Sequence, residues 1–445
     1  MLRPLLAPVL ALAAALSVAG CAYPYTPPAL TPVTQPAPPS SGGPVSYPIG
    51  GSAAQEPRAP VTILVSIDGF RSDYLGRGVT PNIARLAAGG VTGPMRPSFP
   101  SKTFPNHWTL VTGVVPDRHG IVGNSFVDPQ RPTETFTMAA DDPYWWNGAE
   151  PIWVTAERAG IRTATMFWPG SNVAWGGVKA TNWPYAVTGG TRPSDWQQFN
   201  EAVSDRQRVD AVIDWMRRPA ATRPRFVTVY FEEVDHAGHG SGPDSPQVNE
   251  ALAAVDHSIG DMVAGLAALD QPANLVIVAD HGMAATASTR TIALDTVLPA
   301  TDARAVELGP YAALMPLPGR ESAVAAALLR PHPHMRCWRR EAIPARLHFG
   351  ANPRVAPFLC LADDGWRIAP TAPTSASVGG DHGYDNALTD MRALFVANGP
   401  AFRAGHRLKP FDNVDVAPLL RDLLGLPAGE GLDGDDRPFR DALKR

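Results

Sequence analysis

Val61-Thr62-Ile63-Leu64-Val65-Ser66-Ile67-Asp68-Gly69 is an apolar, β-branched run that stops on an acid and a glycine. An unbroken apolar run of this length suits a strand covered by protein on both faces, because no side of it is left for water. Runs of the same kind recur at 162–167, 226–231, 274–279 and 393–397. Helical patterns lie among them at 81–88, 151–159, 205–217 and 248–269. Alternation of strand and helix predicts an α/β fold: a largely parallel central sheet with helices on both faces. The rhythm breaks between about 292 and 377, a Pro-, Arg- and Ala-rich stretch that contains Pro331-His332-Pro333-His334. It reads as a small inserted α+β subdomain. A closing helix is expected over 414–424, capped by Asp412 or Asn413.

The strand ends carry the chemistry. Asp68, Asp235 and Asp280 each lie at, or a few residues beyond, the end of an apolar run. Ligands of open α/β sheets gather at the carboxyl ends of strands, so the three acids are expected on one rim. Imidazoles accompany them: His239 four residues after Asp235, His281 next to Asp280, and His382 within Gly379-Gly380-Asp381-His382-Gly383-Tyr384. Mixed Asp/His sets suit zinc, and six such ligands are enough for two ions. Each fragment alone is also compatible with a surface pair, a capping acid or a core histidine. Only their joint occurrence at strand ends points to metal. Thr103, in Lys102-Thr103-Phe104-Pro105-Asn106-His107, is the candidate nucleophile, because a divalent ion lowers the pKa of a coordinated hydroxyl. The segment 106–112 reads as a helix, and a helix start favours a phosphate. Thr103 as a mere helix cap and Ser101 as nucleophile are the competing readings.

These motifs, with Asp68-Gly69, Gly120-Ile121-Val122-Gly123-Asn124, Glu233-Val234-Asp235 through His239, Asp280-His281-Gly282-Met283 and His382-Gly383-Tyr384, resemble the nucleotide pyrophosphatase/phosphodiesterase family of the alkaline phosphatase superfamily. The resemblance runs in order from Val61 towards the C-terminus. It implies an alkaline-phosphatase-like fold and two zinc ions, one on Asp235, His239 and His382, the other on Asp68, Asp280 and His281 with Thr103. It implies a phospho-threonine intermediate, Asn124 as donor to a non-bridging phosphate oxygen, and Phe104 and Tyr230 as rings that sandwich a nucleobase. Core packing is the alternative for those two rings. The expected reaction is hydrolysis of nucleotide pyrophosphate or phosphodiester bonds to a nucleoside 5'-monophosphate. A phosphomonoesterase, a phosphonate hydrolase and a lysophospholipid phosphodiesterase of the same superfamily are the enzymatic alternatives; a non-catalytic surface protein is another. Val234 and His236 stand where many family members carry Pro and Ser, neither at a ligand position.

Bulk properties set the surroundings. The net charge is -4, which argues against a surface that coats nucleic acid. Apolar content of 44% and charged content of 18% are ordinary for a globular chain, expected here to be monomeric. Residues 1–20 read as a signal peptide: Arg3 followed by an apolar segment too short for an ordinary membrane span. Leu16-Ser17-Val18-Ala19-Gly20-Cys21 resembles a bacterial lipobox, which would make Cys21 a lipidated first residue. Ala22 in place of Asp favours the outer membrane, with the domain facing the periplasm. Residues 21–60, rich in Pro and nearly uncharged, read as a tether, leaving 61–445 as the catalytic domain. Cys337 and Cys360 are expected to pair in the oxidising compartment that export implies.

Overall fold

The computed structural model describes residues 58–444. The expected signal peptide, Cys21 and all but the last three residues of the tether lie outside them. Within the described part, β1 (Val61–Ile67), β2 (Thr163–Met166), β3 (Phe226–Phe231) and β4 (Ala273–Val278) run parallel in the order β4-β1-β3-β2. Every residue of β1 and β3 is buried, which is why their sequences show no polar alternation. Phe395–Asn398 joins β4 antiparallel, and short two-residue strands at 91–92, 195–196 and 406–407 bring the sheet to eight. The fold is therefore α/β with a mostly parallel sheet.

Register levels the strand ends. Ile67 pairs with Phe231 and Ser66 with Val278, so Asp68 and Asp280, each two residues past a matched pair, step off side by side. Gly69 follows with φ +67°, and a Cβ there would sit 3.0 Å from the Asp235 backbone. Only glycine lets these two segments come so close.

Four helices matter to the site and its support: α1 (Thr103–Thr112), α2 (Asp205–Arg217), α3 (Glu233–Ser241) and α4 (Pro246–Ala268). The closing helix, Val416–Leu424, starts later than expected, after a 3-10 turn at Asn413–Asp415. Neither Asp412 nor Asn413 caps it through its side chain. Asn413 is spent elsewhere: it donates to Asn106 Oδ1 at 2.8 Å and accepts from Ser98 Oγ at 2.8 Å.

Residues 303–362 build a second sheet. Its strands are β5 (Ala303–Glu307), β6 (Tyr311–Pro316), β7 (Met335–Arg339) and β8 (Phe358–Ala362), all antiparallel, in the order β5-β6-β8-β7. With the helix Glu321–Leu328 they enclose a separate core that includes Leu314, Val324, Leu328, Met335 and Phe358. Cys337 and Cys360 lie directly opposite each other on β7 and β8 and form a disulfide.

Candidate active site

The segment around Thr103 is fixed by its own motif. Asn106 saturates its amide: Oδ1 accepts from Ser98 N and Asn413 Nδ2, and Nδ2 donates to the carbonyls of Pro100 and Lys102. The loop into α1 is thereby held at four points. His107 is fully buried, with Nδ1 2.8 Å from the Thr103 carbonyl and Nε2 2.8 Å from Ser66 Oγ, which pins α1 to β1. Thr103 is the first residue of the helix, and Lys102 is the cap residue, making no side-chain cap bond. The Thr103 hydroxyl lies 3.3 Å from His281 Nε2.

The six expected ligands gather in two overlapping groups linked by His281, the residue beside this hydroxyl. Asp68, Asp280 and His281 form one, with ligand atoms all within 4.8 Å of one another. Asp235, His239 and His382 form the other through pairwise approaches: 3.4 Å from His239 Nε2 to Asp235 Oδ2, 3.7 Å from His382 Nε2 to Asp235 Oδ1, and 3.1 Å between the two Nε2 atoms. His281 also falls within 4.8 Å of Asp235 and His382, joining the groups. Asp235 and His239 sit four apart on α3, so one helical face presents both, rather than the strand-to-loop bend their spacing suggests.

The imidazoles are prepared as ligands. Nδ1 of His239, His281 and His382 lies 3.0, 2.9 and 2.9 Å from the carbonyls of Gly380, Gly282 and Ser101. A carbonyl only accepts, so each Nδ1 carries the proton and each Nε2 offers a lone pair. Two such lone pairs 3.1 Å apart repel unless a cation lies by them. The carboxylates tell the same story. Asp68 Oδ1, Asp235 Oδ1 and Asp280 Oδ2 are buried without a hydrogen-bond partner. Burial, with Asp280 and Asp235 adding to it, pushes Asp68 well above the usual carboxylate range. Burial pushes His382 well below the usual imidazole range, helped by His281, Lys102 and His239. For Asp280, burial opposes ionisation but His281 and His107 outweigh it and hold the carboxyl down. Carboxylate oxygens without partners and imidazole nitrogens aimed at common points fit divalent metal.

Asn124 accepts from Phe104 N at 3.0 Å through Oδ1, which leaves its amide nitrogen as a donor beside the start of α1. The base sandwich expected of Phe104 and Tyr230 requires correction at Tyr230. Tyr230 is 2% exposed and its hydroxyl donates to Asp68 Oδ2 at 2.7 Å. Phe104 is 1% exposed, packed against Phe136 and Trp146. Phe104 nonetheless lines a cleft whose wall does not include Tyr230. The half-buried ring is Phe199, 5.7 Å from Phe104 and 5.1 Å from Tyr230, on this cleft of about 240 Å3 shared with Met138, Asn172 and Gln198. Nothing in the sequence marks Phe199. Asp381 was also missed, although it directly precedes His382 in the glycine-rich run. It is buried, lies 3.5 Å from Lys102 Nζ and 2.8 Å from Arg367 Nε, and accepts from His382 N. His236 faces solvent beside Glu201.

An Asp/His cage beside a threonine hydroxyl, buried except at His239, at the carboxyl rim of a mostly parallel sheet, defines a metal-dependent hydrolase. Residues 62–385 match the model of the type I phosphodiesterase/nucleotide pyrophosphatase family. An uncharacterized pyrophosphatase/phosphodiesterase of Schizosaccharomyces pombe is 38% identical, covering 82% of this chain and 77% of its own length. The bis(5'-adenosyl)-triphosphatase of Xenopus laevis is 37% identical over 82% of this chain and 78% of its own. Ectonucleotide pyrophosphatase/phosphodiesterase family member 1 of Rattus norvegicus is 37% identical, but the match spans only 41% of that longer protein. Among solved structures, human ectonucleotide pyrophosphatase/phosphodiesterase 5 matches with a TM-score of 0.80 and 34% identity, covering 87% of this chain and all of that one. An inactive variant of its murine counterpart, in complex with AMP, matches equally. The chain belongs to the type I phosphodiesterase/nucleotide pyrophosphatase family, whose members are hydrolases.

Proposed function

We propose that the protein hydrolyses nucleotide pyrophosphate and phosphodiester bonds with two zinc ions, through a phospho-threonine on Thr103, and releases a nucleoside 5'-monophosphate. One observation carries this reading: the Thr103 hydroxyl stands 3.3 Å from His281 Nε2, beside buried carboxylate oxygens that have no hydrogen-bond partner. Asp235, His239 and His382 would hold one ion; Asp68, Asp280, His281 and Thr103 Oγ the other. Zinc so bound supplies positive charge that favours the alkoxide and neutralises phosphate oxygens. Thr103 gives up its hydroxyl proton to solvent, its Oγ bonds to phosphorus, and the bond from phosphorus to the leaving oxygen breaks with its electron pair on that oxygen. Water then loses a proton to solvent and bonds to the same phosphorus, the Oγ–phosphorus bond breaks, and Oγ takes a proton back to restore the hydroxyl. Asn124 donates to the phosphoryl oxygen whose charge grows on the way. A nucleobase would stack on Phe199. The relatives' names, and the AMP held by the murine neighbour, support a nucleotide as substrate.

The test is Thr103→Ala. It should retain zinc, counted by metal analysis, and lose turnover by orders of magnitude with no covalent phosphoenzyme. Chelation should abolish wild-type activity and added zinc restore it. Indifference to chelators, or wild-type turnover without Thr103, overturns the proposal. A strong preference for mono- over bis-(p-nitrophenyl) phosphate would transfer the protein to the phosphomonoesterases. We also propose export and outer-membrane anchoring through Cys21, a reading supported by the sequence alone. Absence of palmitate label on the full chain refutes it.

A further inference from the structure

We propose that Glu307, carried by the second sheet, is a positioning residue for the reaction: it fixes the Gly123-Asn124-Ser125 turn from which Asn124 reaches the transferring phosphoryl group. This inference rests on the role given to Asn124 above and adds what holds that residue in place.

Glu307 ends β5, where the pairing with β6 slips between Ala305 and Glu307. Such an irregularity re-aims a side chain out of the regular alternation. Here it sends the carboxylate towards the other core. Glu307 Oε2 accepts from Ser125 N at 3.2 Å, directly after Asn124. The Tyr311 hydroxyl, one strand over on β6, donates to the same carboxylate. Gly123 leaves no room on the turn's other side: a Cβ there would meet Glu307 Oε2 at 2.8 Å and the Tyr311 hydroxyl at 3.0 Å. Asn124 itself is tied forward to α1 through Phe104 N. The turn is therefore clamped between the nucleophile helix and the second sheet. Burial, with Asp381 adding to it, raises the Glu307 carboxyl above its ordinary value, and the charge of Lys102, the Tyr311 hydroxyl and the Ser125 N–H offset only part of that rise. Lys102 immediately precedes Thr103, so the same acid also faces the base of the nucleophile loop.

Preorganised donors act only where they are held to within a fraction of an ångström. A donor on a two-ended turn depends on both ends. The second sheet then contributes to catalysis without touching substrate.

The experiment compares Glu307→Ala, Glu307→Gln, Tyr311→Phe, Asn124→Ala and the Glu307→Ala/Asn124→Ala double variant in the zinc-loaded protein, on one diester substrate. Loss of one charge-assisted hydrogen bond predicts a kcat lower by about tenfold for Glu307→Ala. KM should stay within about twofold, since the donor works in the transition state. Glu307→Gln keeps an acceptor for Ser125 N and should recover most of kcat. Tyr311→Phe should move kcat in the same direction as Glu307→Ala, by less. The double variant should be no slower than Asn124→Ala alone, because both changes remove one device. Multiplying effects overturn the proposal, and so does an unchanged kcat in both Glu307→Ala and Tyr311→Phe. A melting temperature that falls in step with kcat across the series, with no rescue by Gln, assigns Glu307 a structural role and also overturns it. Wild-type kcat in Asn124→Ala would instead refute the function given to Asn124, and Glu307 would then have nothing to position.

Discussion

Tyr230→Phe removes one oxygen and nothing else. That oxygen donates to Asp68 Oδ2 at 2.7 Å inside a site where Tyr230 is 2% exposed. No water replaces the donor, so the carboxylate keeps a lone pair unsatisfied. A hydrogen bond to a charged group contributes about 1.5–3 kcal/mol. At 1.4 kcal/mol per decade this is about 10- to 100-fold in zinc affinity, the range found when a donor behind a metal ligand is lost. The pH dependence should move as well. The Tyr230 hydroxyl pulls Asp68 down against burial and against Asp280 and Asp235. Without it Asp68 rises further, so more alkaline solution is needed to bare the carboxylate and the midpoint of zinc binding shifts to higher pH. Burial, then Asp68, raises the phenol itself well above its ordinary value, so it stays a donor throughout. The assay is zinc competition against a chromophoric chelator at several pH values. Zinc affinity within twofold of wild type at every pH would refute the reasoning. The variant also separates two roles, because phenylalanine stacks on a base as tyrosine does: a ring that stacked would leave zinc binding untouched.

Two further outcomes follow from groups away from the phosphoryl site. His119 is fully buried, accepting from Ile121 N at 3.1 Å, with Nε2 3.0 Å from Thr109 Oγ1; burial, with Arg354 adding to it, depresses its pKa to about 3. Its folded value lies below its unfolded one, so the stability it permits is complete above about pH 6.5 and is lost as pH falls towards 3, at about 1.4 kcal/mol per unit. Urea midpoints at pH 7 and pH 5 should differ more for the wild type than for His119→Gln; equal slopes refute this. The Cys337–Cys360 bridge spans 23 residues, and its removal should cost about 3 kcal/mol by loop entropy. Neither cysteine should react with a thiol reagent before reduction, and reaction at either without reductant refutes the pairing.

Much of the fold was legible because burial leaves a simple mark. β1 and β3 are buried along their whole length, so their sequences carry no interruption, and 226–231 matches the observed strand end to end. The helix Asp205–Arg217 was equally plain from its pattern, and the structure adds a reciprocal capping box of Ser204 and Gln207 at its start. The convergence of Asp68, Asp280 and His281 was legible for a topological reason: matched parallel strands end at one level. What failed to show was contact between side chains far apart in sequence. Tyr230 looks like any buried aromatic on a strand until its hydroxyl is seen against Asp68, which lies 162 positions away. Phe199 lies in an irregular segment where no periodicity distinguishes it. Asn413 was read as a cap from local pattern, but its amide had been claimed by Asn106 and Ser98, a tertiary demand that overrides a local preference.

The braces behind the imidazoles explain why such distant segments meet so closely. His239 and His382 are each locked by a carbonyl from a distant part of the chain, and His281 by that of the next residue, Gly282. His239 on α3 leans on Gly380, in the strand Val378–Asp381 that leads to His382. His382 in turn leans on Ser101, two residues before Thr103. The loop holding Ser101 is tied through Asn106 to Ser98 and Asn413, and α1 is tied through His107 to Ser66 on β1, next to the strand end that bears Asp68. These links form a continuous line from one ligand group, through the nucleophile loop, to the other. Neither His239 nor His382 can swing without giving up a bond to a segment that carries another part of the site. The partners in these braces are protein groups, so metal binding would have little backbone left to order, and little of the binding free energy would go into folding the site.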